Sequence, residues 1–336
     1  MFPAMTRIGR RRAAQAATAL LIVSGLLLWW LFPLEDSGPR GTVTFSTGLK
    51  NGVYERYGDL LRDALRDDLP QVRVVLRNSE GSQQNIARVA RGEADFTIAT
   101  ADAVAQYQRQ NGPDADRLRG CARLYDDYVQ LVVRADAKVG ELGELRGRKV
   151  GVGQPGSGVR LIADRLLKAA GIDPADGIDP VHRGIDTLPG ALERREVDAF
   201  FWSGGLPTGA IERLSQRVPI RLVPLPPELV DTVHDTSAPP NGPAGHYRQA
   251  VMPPDAYRKI PGGYSVPTMA VANLLVTTDR MDEDLVAGLT RTVIRSRDSI
   301  GTRVHPAQLV DLRTAIYTEP LALHTGAQRY YQSEKP

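Results

Sequence analysis

The chain has 336 residues, 42% of them hydrophobic and 24% charged, enough for two ordinary domains and too apolar for a disordered chain. Four of its 42 Lys and Arg residues (Arg7, Arg10, Arg11, Arg12) fall in the first dozen positions, so 38 basic residues elsewhere face 39 acids. The body is therefore near neutral and a poor match for nucleic acid, and the single cysteine, Cys121, excludes an internal disulfide and reads as a small core residue.

In chain order, residues 13–34 come first: 22 positions without a charge, long enough to cross a bilayer as a helix. The arginines before them favour a cytoplasmic tail over residues 1–12 and an exported remainder, and Trp29 and Trp30 suit the outer interface. No small-residue cleavage site precedes Glu35, so the segment is expected to stay as an anchor. The expected location is the cell membrane, single-pass, with the body on the extracytoplasmic side.

After a short linker, strand and helix signals alternate. "TVTFS" reads as a strand, and a helix from Val53 puts Tyr57, Leu60, Leu61, Ala64 and Leu65 on one face. "VRVVL" is a strand, "SQQNIARVARG" a helix closed by Gly92, "DFTIAT" a strand, and Ala101 opens another helix. Such alternation predicts a mostly parallel sheet with helices on both faces.

The pattern then repeats. "KVGVG" is a strand, "QPGSG" a loop, and the next helix carries Leu161, Ile162, Leu166 and Ala169 on one face. Gly52-Val53 and Gly158-Val159 open equivalent helices, with Leu60-Leu61 and Leu166-Leu167 eight residues on. Glu93-Ala94-Asp95 and Glu196-Val197-Asp198 each lead into an apolar strand. The three matches in order imply two similarly built α/β lobes. "YSVPTMAVANLLVTT" and a helix from Asp282 to about Ser299 then return the chain to the first lobe. Lobe I is expected over 42–128 and 270–336, lobe II over 129–269, with hinges at 126–134 and 264–274 and a cleft between.

Gly151, Gly153 and Gly156 stand in G-x-G-x-x-G register, but "GIDPADGIDP" follows where a dinucleotide site needs a strand ending in an acid. No Lys-Ser or Lys-Thr closes a phosphate loop, Pro155 and Val159 replace the glycines of a nucleophile elbow, and the five histidines show no paired metal spacing. No enzyme, cofactor or metal is expected. A Gly-Ser-Gly loop at a helix start offers backbone N–H groups, a hydroxyl and the positive end of the helix dipole, which suits a small anion. The same loop could equally be a plain N-cap by Ser157. "STGLKNGVY", with Thr47, and "NSEGSQQN" are two further loops of this kind, and Gln154 begins the third. Ligand contacts are expected from the backbone of 154–158, from Ser157 and from the facing Ser82. Tyr54 and Trp202, beside these loops, are candidate aromatic contacts.

"STGLKNGVYERYG", "NSEGSQQNIARVARGEADFTIATAD", "LYDDYVQLVV", "VGQPGSGVRLIADRLL", "VDAFFWSGGLPTGAI" and "HTGAQRYYQ" together resemble the TAXI family, over residues 42–332. These are TRAP-associated extracytoplasmic immunogenic proteins, the solute receptors of tripartite ATP-independent periplasmic transporters. The resemblance implies a type II two-lobed periplasmic-binding-protein-like fold that closes on a small organic anion or amino acid, a monomer, and TRAP-type permease subunits as partners. It places Gly52, Val53 and Tyr54 on a Gly-Val-Tyr loop, Ser82 and Asn85 on a Gly-Ser-x-x-Asn motif, and Asp102 at the end of the third-strand motif. It also places Gly156, Ser157 and Gly158 on the second-lobe loop, and Trp202 and Gly205 on its aromatic-glycine segment. Val159 departs from the family's usual threonine. A membrane-anchored ligand sensor or scaffold of the same fold is the alternative.

Overall fold

The computed structural model describes residues 10–31, 38–50, 52–237, 245–257, 259–260 and 265–334. Residues 1–38 and 39–336 form two separate compact units. In the first, helix α1 (Arg10–Leu31) covers most of the expected anchor. Among the described residues no helix is long and apolar enough to cross a membrane. Residues 1–9 of the expected tail and 32–34 of the expected anchor lie outside the described residues, as does Tyr264 at the edge of the second expected hinge.

The second unit opens with β1 (Gly41–Ser46), α2 (Val53–Asp68), β2 (Val72–Arg77), α3 (Ser82–Ala90), β3 (Phe96–Thr100) and α4 (Ala101–Arg109), close to the sequence expectation. Helix α2 buries Tyr57, Leu61 and Leu65, its predicted face. A 17-residue strand, β4 (Leu118–Arg134), follows. The repeat is β5 (Lys149–Gly151), α5 (Gly158–Ala169), β6 (Asp179–Val181), α6 (Leu188–Glu193) and β7 (Ala199–Gly204). Then come α7 (Gly209–Arg217), β8 (Ile220–Val223), α8 (Pro227–Ser237) and β9 (Tyr247–Met252). The chain ends with β10 (Val266–Thr278), α9 (Glu283–Arg295), α10 (Arg297–Gly301) and α11 (Thr325–Ser333).

The ten strands of the described residues form one sheet in the order β2-β1-β3-β10-β4-β7-β5-β6, with β8 on β4 and β9 on β10. The parallel triplets β2-β1-β3 and β6-β5-β7 repeat each other, and the antiparallel pair β10 and β4 joins them. The expected lobe boundaries at 128/129 and 269/270 fall inside these two long strands.

The repeated acid has a structural reason. Asp95 N donates to Thr44 O at 2.8 Å and its carboxylate accepts from Thr44 N at 2.7 Å. Asp198 does the same to Lys149, at 2.8 and 2.9 Å. Each carboxylate caps the free N–H beside its parallel neighbour, where the third strand of the triplet begins.

One core packs α2, α9 and α11 against β1, β3 and β4, around Phe45, Phe96 and Leu124, and includes Cys121. Burial pushes the Cys121 thiol far up, as expected of an inert core cysteine. A second core lies under α5 and α8, around Val150, Leu166 and Phe201. A third lies under α6 and α7, around Leu192, Phe200 and Leu214.

Candidate functional site

In a parallel triplet the helices start at the carboxyl ends of the strands, and the two triplets point theirs at each other. A cleft of about 580 Å³, part of it open to solvent, lies where they meet. The residues preceding four helices line it: Gly52 before α2, Gly81 before α3, Thr100 before α4 and Ser157 before α5. Gly52, Gly81 and Thr100 make no side-chain cap. Positive helix ends therefore converge on one space, an arrangement that favours negative charge.

Eight of the residues expected from sequence line this cleft: Gly52, Val53, Tyr54 and Ser82 from one side, Gln154, Ser157, Gly158 and Trp202 from the other. Val159 lines it too. Gly158 sits where only hydrogen fits well, because a Cβ there would stand 3.1 Å from Ser82 Oγ and 3.2 Å from Thr100 Oγ1. Gly204 makes room for the Trp202 indole, whose Nε1 donates to Thr208 Oγ1 at 3.0 Å.

The expected hydroxyl donors are otherwise engaged. Ser157 Oγ donates to Gln154 O at 2.7 Å and accepts from Arg160 N at 3.1 Å. It is the N-cap of α5, and its one hydrogen is spent inside its own loop. Tyr54 OH donates to Asn273 Oδ1 at 2.5 Å and pairs with Ser82 Oγ at 3.2 Å. With the tyrosine hydrogen committed, Ser82 is the donor in that pair, and it also accepts from Thr100 N at 3.2 Å. Burial, with the Asp127 charge, holds the Tyr54 phenol well above its usual range, so it stays protonated.

Five expected contacts have other duties. Asn85 is buried behind the cleft: its Nδ2 donates to Thr47 O and Ile98 O at 2.6 and 3.0 Å, and its Oδ1 accepts from Ser46 Oγ at 2.7 Å. It fixes β1, β3 and α3 together. Thr47 is buried and its Oγ1 donates to Arg77 O at 3.3 Å. Gly156, at φ +85°, faces Glu80 and Gln84, not the cleft. Gly205 packs on Pro306. Asp102 is fully buried and ties α4 to α5 and β9: Arg165 Nη1 of α5 lies 3.3 Å from its Oδ2, and Tyr247 OH of β9 donates to the same oxygen at 2.6 Å. Arg165 also donates to Tyr247 OH at 2.6 Å and to Gln106 Oε1 at 2.9 Å.

The loops before α3 and α5 touch at the cleft rim as well. Gln154 Nε2 donates to Glu80 O at 2.9 Å, Gln83 Nε2 to Ser157 O at 2.7 Å, and Gln84 N to Gly156 O at 3.1 Å.

Sequence reasoning missed Asp127. It lies on β4, paired with Val271 of β10 next to a register shift between Ala272 and Leu274, the kind of bulge that re-aims side chains beside sites. It lines the cleft with 4% exposure, and its Oδ1 has no hydrogen-bond partner among the described residues. Its carboxyl is pushed up to about 7, chiefly by burial; the Asn273 amide opposes this, and the charges of Asp126 and Asp102 add to it. Thr100 Oγ1 and Ser203 Oγ, also buried in residues that line the cleft, are likewise unpartnered among the described residues. The signal was there in period-2 alternation: Tyr125, Asp127 and Val129 share the buried face of a strand.

Among the described residues no Lys, Arg, His or Cys lines the cleft, and no group of three or more His, Cys, Asp or Glu could hold a metal ion.

Among solved structures, a protein from Bordetella bronchiseptica RB50 is 15% identical, with 88% of this chain and 90% of that one covered and a TM-score of 0.50. This is a likeness of fold alone. The periplasmic aliphatic sulphonate binding protein SsuA from Escherichia coli is 14% identical, covering 89% of this chain and 84% of its own, at a TM-score of 0.47. The alkanesulfonate-binding protein SsuA from Xanthomonas axonopodis pv. citri, bound to MOPS, is 14% identical, covering 90% and 86%, at 0.46. A family model matches residues 45–334, nearly all of the second unit, and the chain belongs to the NMT1-like family.

Proposed function

We propose that the body is an extracytoplasmic receptor, not an enzyme, that captures a small carboxylate-bearing solute between its lobes and delivers it to a membrane transporter. The observation that carries this reading is the convergence of four helix starts on one interlobe cleft. Together they supply the attraction for a carboxylate that no Lys or Arg among the described lining residues supplies. The Ser82 and Ser157 hydroxyls are bonded to a tyrosine and to backbone, and not to a base that could activate a nucleophile. The TAXI-like motifs support a TRAP-type permease as the partner, and the uncharged segment with its preceding arginines supports an anchored, extracytoplasmic body.

Native mass spectrometry of the full chain, purified gently in detergent, tests the reading. A copurified acid of low molecular mass that leaves on mild activation is the expected result. Absence of any such species, together with no thermal shift across a panel of organic acids and amino acids, would refute it.

A further inference from the structure

We propose that the chain carries a second binding site, for a phosphate group, with Arg134, Lys138, Arg148 and Arg195 as its cationic contacts. These four line a cavity of about 590 Å³, part of it open to solvent. It sits at the end of the β6-β5-β7 triplet away from the cleft. Arg134 is the last residue of β4, Arg148 immediately precedes β5, and Val197 and Asp198 immediately precede β7. The site is independent of whatever the cleft binds.

The argument starts from a place where the two repeats differ. In the first triplet the chain leaves α3 through Gly92 at φ +73°, and Glu93 N closes the helix end on Arg88 O at 2.8 Å. In the second, Arg195 stands at the matching position at φ +59°, and Glu196 N bonds Ala191 O at 2.8 Å. The turn is the same, and it requires a left-handed residue. Glycine takes that conformation freely, whereas arginine takes it under strain. The ion pair of Arg195 with Asp136 at 2.7 Å does not explain the strain. Its two side chains are 65% and 54% exposed, and such a pair adds little stability. The helix dipole accounts for a cation such as Lys168 in the last turn of α5. It does not account for Arg134, Lys138 and Arg148, which lie on no helix.

The charges lining the cavity are these four cations against two acids, Asp136 and Asp198, a surplus of two positive charges. Both acids are spent on the scaffold. Asp198 Oδ2 accepts from Lys149 N at 2.9 Å, and Asp136 accepts from Arg134 Nε at 3.2 Å and from Arg195 Nη2 at 2.7 Å. That bridge holds two guanidiniums side by side and leaves their other N–H groups without partners among the described residues. The loop that carries Lys138 is fixed by its carbonyls: Arg221 Nη2 donates to Ala137 O at 2.8 Å and to Val139 O at 2.7 Å, and Arg148 Nη2 to Lys138 O at 3.3 Å. The Lys138 ammonium itself makes no ion pair or hydrogen bond among the described residues. Forked guanidinium donors and a point charge around one space match an oxyanion with several acceptor oxygens and more than one negative charge. Phosphate has that chemistry, whether free in solution or carried on a lipid headgroup.

Calorimetry on the full chain in detergent tests this with two probes: inorganic phosphate, and glycerophosphoglycerol, the soluble headgroup of an anionic phospholipid. The expected result is that at least one binds with a Kd of about 0.1–1 mM at low salt and about tenfold more weakly at high salt. Tighter binding of inorganic phosphate assigns the site to a soluble ligand, and tighter binding of the headgroup assigns it to a membrane lipid. Arg195→Gly removes the guanidinium and relieves the left-handed strain, so affinity should fall about tenfold or more while Tm holds or rises. Lys138→Ala, on an exposed loop residue, should lower affinity in the same way and decides the matter if the first variant fails to fold. Arg91→Ala, at the matching end of the first repeat, should change nothing. Binding of neither probe would overturn the proposal, as would phosphate binding that Arg195→Gly and Lys138→Ala leave unchanged. Binding that is lost instead in Gly158→Val belongs to the cleft; it too would overturn this site, and it would leave the receptor reading intact.

Discussion

Asp127 makes a prediction about stability that needs no ligand. Its carboxyl stands at about 7 in the folded protein against an ordinary 3.8. Between those values the folded chain binds more protons than the unfolded one, so stability falls as pH rises through the window, and the full penalty is present above 7. The size of the rise corresponds to at most about 4 kcal/mol. Asp127→Asn removes the charge but leaves a buried amide, whose own unmet hydrogen bonds cost about 1–3 kcal/mol. The ligand-free variant should therefore be more stable than wild type by about 1–3 kcal/mol at pH 8, roughly 2–6 °C in Tm for a body of this size. At pH 4 the gain should vanish or reverse. Urea unfolding of both proteins at pH 4, 6 and 8 measures it. A difference that is the same at every pH, or a variant less stable at pH 8, would refute the assignment of the penalty to this carboxylate.

Four further outcomes follow from the geometry. Asp102→Ala strips Arg165 of α5 and Tyr247 of β9 of their shared partner on α4, and should weaken ligand binding about ten- to a hundredfold without touching the ligand; calorimetry with scattering should show weaker binding and a larger radius of gyration. Gly158→Val adds carbons against Ser82 and Thr100; it should abolish binding through the rim contact while far-UV circular dichroism stays unchanged. Asp95→Ala and Asp198→Ala each remove a carboxylate from a strand N–H, so each should cost about 1.5–3 kcal/mol in urea unfolding. N-terminal sequencing of membrane-extracted protein should begin at or near Met1, and a start near Glu35 would sink the anchor.

Much of the scaffold was legible because its signals are local. Gly-Val openings, Leu-Leu pairs and E-x-D steps recur at matched positions, and the structure gives the last of these a mechanical meaning at Asp95 and Asp198. The length of β4 was not legible, because Arg119, Arg123, Asp126 and Asp127 interrupt its apolar residues; Arg123 and Asp126 pair within the strand, and Asp126 also with Arg248 of β9. The glycine loops located the cleft, but adjacency in sequence misled for Thr47, Asn85 and Asp102. Those three do not line the cleft: their side chains run back into the sheet or, for Asp102, across to α5 and β9. Which way a polar side chain is spent is a tertiary fact, and Ser157 shows it most plainly: a loop that suits an anion holds a hydroxyl already used as a cap.

That division of labour bears on how binding could drive closure. The rim bonds from Gln83, Gln84 and Gln154 and the Asp102–Arg165–Tyr247 cluster tie α3, α4 and the loop before α3 to α5, β9 and the loop before α5, so any opening of the cleft must break them. Asp127 lies in the same cleft at 4% exposure, and a carboxylate with an unpartnered oxygen opposes its own burial. The two effects have opposite sign. A ligand shifts an equilibrium only by its differential affinity for the two states, so a ligand that pairs with the buried acid would favour the state in which that acid is buried.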